Sequence, residues 1–310
     1  MRQHLDTRRI TLEPTVGIPN MPTSVSETLW SLEGSAGETI FGDAHLPDGT
    51  PRGTLLIAHG FKGYKDYGFM PMLAQRAVEA GFQAHRFNFS HSGMTRDTET
   101  FQRPDLFERD TWGRQVHDLL TVHRAARDGR LPGAAARKSM LWFGHSRGGV
   151  TCLLASARLA AAEAPAGVIT AASPSTTLFL DADQQALLRR SGRIESPSSR
   201  TGQTLYVGRD LLDEIDQNPR AFDPTVAASH LCRPLLVIHG KNDQTVPLTA
   251  ADQLVEAAGS HGHRHVVPDA SHTFNAPNPL DPNVSPPKAT AEMIGGVLAF
   301  AGACVDPAAT

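Results

Sequence analysis

Five residues, Gly144-His145-Ser146-Arg147-Gly148, constrain this chain more than any others. The apolar run 140–143 leads into them, and small and apolar residues from 150 to 162 lead out. The first reads as a buried strand and the second as a helix, which puts Ser146 at a strand-to-helix turn. A side chain there needs strained backbone angles and has little room. Gly144 and Gly148 lack Cβ atoms, so strand and helix can approach closely. The arrangement lifts the serine Oγ clear of the sheet edge. It also aims the Arg147 amide and the positive end of the new helix at any anion forming beside that oxygen. A glycine-rich turn in which the serine merely caps the helix has the same local pattern, so the rest of the chain has to discriminate.

The same alternation recurs on both sides. Residues 28–32 and 39–46, divided by Gly34 and Gly37, read as an antiparallel hairpin at a sheet edge. Residues 53–59 form a continuous apolar run, the pattern of a strand covered on both faces. The pattern predicts a helix over 69–80, a strand over 82–89 and one long helix over 107–128. The helix after Ser146 is expected to run to about 163, followed by a strand over 166–172. Residues 173–233 break the rhythm. They hold three short helical patterns (182–190, 210–218 and 224–229) around an irregular Ser/Arg/Gly-rich stretch, 191–202. That is longer than an ordinary strand-to-helix connection. Strands over 234–239 and 263–267 and helices over 249–258 and 288–302 complete the chain.

The expected fold class is α/β: a mostly parallel central sheet with helices on both faces and a small cap-like insert at about 173–233. Residues 1–26, with Pro14, Pro19 and Pro22, are expected to form an N-terminal arm before one domain over 27–310. A hydrophobic fraction of 40% is enough for its core. A net charge of −3 suggests neither a nucleic-acid nor a membrane-surface partner. Cys152, Cys232 and Cys304 are odd in number and far apart, which fits a reducing, cytoplasmic setting better than a disulfide framework. The charged segment 1–13 lacks the apolar core of a signal peptide, and no run is expected to span a membrane.

In a sheet of this kind the chemistry sits beyond the carboxyl ends of the strands. Ser146, Asp243, His272 and the His59-Gly60-Phe61 turn all fall there. With these motifs, and with His239-Gly240-Lys241-Asn242-Asp243 and Ser271-His272, the chain resembles serine hydrolases of the α/β-hydrolase fold, in that fold's order of nucleophile, acid and histidine. Through His59-Gly60-Phe61-Lys62-Gly63 and Phe87-Asn88-Phe89-Ser90 it most resembles the dienelactone-hydrolase-like and cinnamoyl-esterase-like groups. It departs from the dienelactone hydrolases in carrying a serine where they use a cysteine.

The resemblance implies Ser146 as nucleophile, His272 as base and then acid, and Asp243 as the carboxylate that orients the imidazole. It implies an oxyanion hole made by the amides of Phe61 and Arg147. Asp269, three residues before His272, is a rival acid. The implied substrate is a small or medium carboxylic ester, with no cofactor and no metal. Amide or peptide cleavage, carbon–carbon hydrolysis and acyl transfer use the same three residues, and a non-catalytic binding protein on this fold is a further reading. Met94, Phe179 and Tyr206 are candidate pocket residues, and the Arg147 guanidinium is a candidate partner for a carboxylate of the 173–233 insert. His261, His263 and His265 alternate near a strand start and are expected to face solvent. A monomer and a homodimer are equally compatible with the sequence.

Overall fold

The structure, a computed structural model, describes residues 26–135 and 139–306. The expected arm lies outside the described residues except for Ser26. The hairpin forms as read, from β1 (Ser26–Glu33) and β2 (Thr39–Leu46). The remaining sheet strands are β3 (Thr54–Ala58), β4 (Gln83–Asn88), β5 (Met140–His145), β6 (Gly167–Ala171), β9 (Leu235–Gly240) and β10 (Gly262–Val267). Their order is β1-β2-β4-β3-β5-β6-β9-β10, parallel from β4 to β10, with β2 antiparallel to both neighbours.

The two-residue period of a strand divides the core into two layers. On β3, Leu56 and Ala58 join one layer, while Leu55 and Ile57 join the other. On β5, Met140 and Trp142 face the first layer, and Leu141 and Phe143 face the second. Helices α3 (Trp112–Arg127), α4 (Arg147–Ser156) and α8 (Thr249–Ala258) cover the first face. Helices α1 (Met70–Glu79) and α9 (Lys288–Val305) cover the second. Helix α9 is long and apolar enough to cross a membrane, contrary to the sequence expectation. Here its apolar face serves the core: Met293, Val297 and Phe300 are buried under the sheet.

Three elements differ from expectation. The helix over 107–128 is broken into α2 (Pro104–Glu108) and α3, because Thr111 caps α3 by accepting from the Arg114 amide. Helix α4 stops at Ser156 rather than near 163. The stretch 191–202 is not wholly irregular: β7 (Arg193–Glu195) pairs antiparallel with β8 (Tyr206–Gly208). Together with α5 (Ala182–Ser191), α6 (Asp210–Gln217) and α7 (Pro224–Ser229), this pair builds the insert between β6 and β9. His263 and His265 are half-buried rather than solvent-facing, because α9 covers them. His263 meets the Phe300 ring at 6.1 Å, and His265 approaches Glu292 at 3.6 Å.

Candidate active site

Strand β5 is central, and α4 begins immediately after it, so Ser146 stands half-buried at the sheet's carboxyl edge, on the floor of a cleft. Its φ of 52° and ψ of −119° confirm the strain that the turn imposes. The glycines are required by contact. A Cβ at Gly144 would strike the Gly148 carbonyl, and one at Gly148 would strike the Ala58 carbonyl. A Cβ at Gly60 would lie 3.2 Å from that of Ser146, which brings the 59–63 turn against the serine.

The loops after β9 and β10 supply the partners. His272 Nδ1 lies 2.8 Å from Asp243 Oδ2, and His272 Nε2 lies 3.0 Å from Ser146 Oγ. Asp243 Oδ1 accepts from the amides of Thr245 and Val246, at 2.8 and 3.0 Å. Burial pushes the Asp243 pKa up, but hydrogen bonds from His239, His272 and Val246 outweigh it and hold the carboxyl well below its usual range. An ionised Asp243 only accepts, so Nδ1 of His272 carries the proton. In a neutral His272 ring Nε2 is then bare and accepts from the serine hydroxyl. The arrangement can withdraw the proton as Oγ attacks. Asp269 makes no such contact, lying exposed in a turn.

Sequence reasoning gave His59 and His145 a role in loop geometry but missed a third histidine beside this line. His239, fully buried at the end of β9, lies 3.3 Å from Asp243 Oδ2 and donates from Nε2 to the Val246 carbonyl at 3.0 Å. The signal was present in the spacing, since His239 precedes Asp243 by four residues at a strand end. His145 Nε2 donates to the His272 carbonyl at 2.9 Å and fixes that loop. His59 Nδ1 donates to the Gly60 carbonyl at 2.8 Å, holding the turn that presents the Phe61 amide. Burial pushes His59 down to about 4 and His145 to about 3, so both stay neutral. Neither the Phe61 amide nor the Arg147 amide has an acceptor among the described residues.

The side chain of Arg147 turns away from the insert. It pairs with Asp110, just before α3, at 3.1 Å, both side chains being 5% exposed. Its guanidinium lies 4.5 Å over Trp112 and 5.5 Å over Phe61. The expected carboxylate of the insert is therefore replaced by one from the α3 side.

A cleft of about 190 Å³ opens over Ser146, lined by Phe61, Lys62, Tyr67, Met70 and, from the insert, Pro197–Arg200. The three candidate pocket residues are not among its walls. Met94 is buried behind Arg200, 3.9 Å from its Nη2. Phe179 is 42% exposed and packs on the outer side of Phe61 at 5.2 Å. Tyr206 sits on β8 under Arg193, at 4.3 Å. Apolar character alone does not separate a cleft wall from core or surface.

Fold and site together define a serine hydrolase of the α/β-hydrolase fold. Residues 100–283 match the model of the prolyl oligopeptidase family, Peptidase_S9. The match covers more than half of the chain, and the chain belongs to that family. No curated protein matches it in sequence. Among solved structures it is similar to the esterase domain of a Rhodothermus marinus protein, at 20% identity and TM-score 0.60, over 89% of this chain and 98% of that one. Est1E of Butyrivibrio proteoclasticus matches at 14% identity and TM-score 0.62, over 89% and 98%. A puromycin-hydrolyzing peptidase of Mycobacterium tuberculosis matches at 16% identity and TM-score 0.61, over 94% of this chain and 41% of that one. At these identities the likeness establishes the fold.

Proposed function

We propose that the protein hydrolyses small carboxylic esters through an acyl-enzyme on Ser146. The observation that carries this reading is the unbroken hydrogen-bonded line from Ser146 Oγ through His272 to Asp243. In the first step His272 Nε2 takes the Oγ proton as the serine attacks the ester carbonyl. The same nitrogen then protonates the leaving alcohol. In the second step water replaces the alcohol and the cycle repeats. Asp243 holds the imidazole tautomer and stabilises its charged form. The free amides of Phe61 and Arg147 receive the oxyanion, a contribution of about 10²–10³ in rate for one such donor.

The cleft of about 190 Å³ supports a short acyl group. Drug-sized pockets run from about 300 Å³ upward. The substrate is a small molecule and the setting cytoplasmic, a reading that the three unpaired cysteines support. A peptidase is the second reading, favoured by the family to which the chain belongs.

The experiment is a comparison of 4-nitrophenyl esters, acetate to decanoate, with aminoacyl 4-nitroanilides. The ester reading expects activity that peaks at short chains and falls about 10⁴-fold or more in Ser146→Ala. Anilides cleaved faster than every ester overturn it in favour of the peptidase.

A further inference from the structure

Two half-buried cations stand in the cleft without a carboxylate partner among the described residues. Lys62 follows the oxyanion-side Phe61, and its Nζ donates to the Pro197 carbonyl at 2.8 Å. Arg200 reaches in from the insert. Its Nη1 donates to the carbonyls of Thr98 and Glu99, at 3.0 and 2.7 Å. Its guanidinium is stacked 4.5 Å over Tyr64 and 5.4 Å over Phe101. These contacts hold the head group in place yet neutralise none of its charge. Its Nε–H is buried with no acceptor. The lysine ammonium has further protons to donate beyond the one given to Pro197.

Among the described residues, the fully buried lysine and arginine side chains are paired. Arg147 faces Asp110, and Lys65 and Arg86 share Asp43. The cleft differs: its lining includes Lys62, Arg200, Ser146 and His272 but no aspartate or glutamate. Burial of unpaired charge is costly, and it already pushes the Lys62 amine below its usual pKa. A charge missing on the protein side is one that a ligand can supply, and charge-assisted hydrogen bonds to a carboxylate are among the stronger polar contacts.

We propose that the cleft takes esters bearing a free carboxylate, such as monoesters of short dicarboxylic acids, with that carboxylate held between Lys62 and Arg200. This rests on the esterase reading of Ser146 and names its substrate class. The alternative role for Arg200 is purely structural, tying the insert to the 98–99 loop. That role predicts no discrimination by substrate charge.

The test compares kcat/KM on mono-4-nitrophenyl glutarate with kcat/KM on 4-nitrophenyl pentanoate, the spontaneous hydrolysis of each being subtracted. The wild-type ratio of charged to neutral ester is expected to exceed about ten, equivalent to about 1.4 kcal/mol. It should fall toward one in Arg200→Gln and in Lys62→Gln, and recover in part in Arg200→Lys. A ratio is insensitive to variants that simply lose folded enzyme.

A second readout is independent of ester turnover: the rate at which phenylmethanesulfonyl fluoride inactivates Ser146, with and without free glutarate. Glutarate should slow labelling of the wild type and lose that effect in Arg200→Gln. Ester turnover with a ratio at or below one, and no protection by glutarate, overturns the acidic-substrate proposal while leaving the esterase intact. Protected labelling with no ester turned over overturns the esterase reading and keeps the anion site.

Discussion

Replacing Arg147 with methionine removes one half of a buried ion pair and leaves Asp110 behind. In the native protein burial pushes the Asp110 pKa up to about 6, opposed chiefly by Arg147 and by the Gln115 amide. Gln115 Nε2 donates to Asp110 Oδ2 at 2.7 Å, while Oδ1 has no partner. Without the guanidinium, only the Gln115 amide and the more distant Arg114 oppose desolvation, and the acid moves higher. Breaking such a pair from one side costs about 3–5 kcal/mol.

The cost depends on pH in a definite direction. Asp110 is ionised in the unfolded chain above about pH 4. Above about pH 6 the native fold holds the ionised acid, and the variant either buries that charge unpaired or takes up a proton to fold. Below that point the native fold is itself protonated at Asp110, so the electrostatic part of the difference fades. Urea denaturation of wild type and Arg147→Met should therefore give a gap of about 3–5 kcal/mol near pH 7.5. Near pH 5 the gap should shrink toward the about 0.5–2 kcal/mol of a lost cation–π contact. The double variant Arg147→Met/Asp110→Asn removes the unpaired charge and should recover much of the loss at pH 7.5. A gap below about 1 kcal/mol, the value of an exposed pair, would refute this reasoning. So would a gap equal at both pH values, or a double variant no better than the single one.

Two further outcomes follow from the buried histidines. His239→Gln withdraws a donor from Asp243, so kcat on a short ester should fall by roughly tenfold with KM nearly unchanged, as for outer residues that orient a catalytic group. A KM effect alone would contradict this positioning role. Burial pushes His59, His85, His91 and His123 down to about 4 and His145 to about 3. The unfolded chain therefore takes up protons first, as pH falls through about 6.5, and each histidine weakens the fold by up to about 1.4 kcal/mol per pH unit. Asp110 and Asp118, both pushed up to about 6 by burial, act in the opposite direction but are fewer. The urea midpoint should fall steadily from about pH 6.5 to about pH 4; an unchanged or rising midpoint would refute the balance.

The sheet and the Ser146–His272–Asp243 line were legible because they depend on local signals. Apolar runs such as 54–58 and 140–143 mark covered strands, and glycine or asparagine-aspartate pairs mark their ends. What eluded the sequence is long-range side-chain choice. Nothing near Arg147 announces Asp110, 37 residues earlier, as its partner. The break at Thr111 was hidden because the apolar period continues across it, and only the cap identifies the new start. The β7–β8 pair joins two three-residue strands, too short for an alternation to register. Arg200 lies in a Ser/Arg/Gly-rich segment whose arginines are alike on paper. Only the packing on Tyr64 and Phe101 sets this one inside the cleft.

The central claim is that Ser146 is a nucleophile activated by His272. Intact-mass and peptide analysis after brief exposure to a fluorophosphonate tests it most directly, on wild type, Ser146→Ala and His272→Ala. The account predicts one adduct per wild-type chain, located on Ser146, none on Ser146→Ala, and labelling of His272→Ala slowed by orders of magnitude. Folded wild-type protein that takes no label, or takes it on another residue, would contradict it.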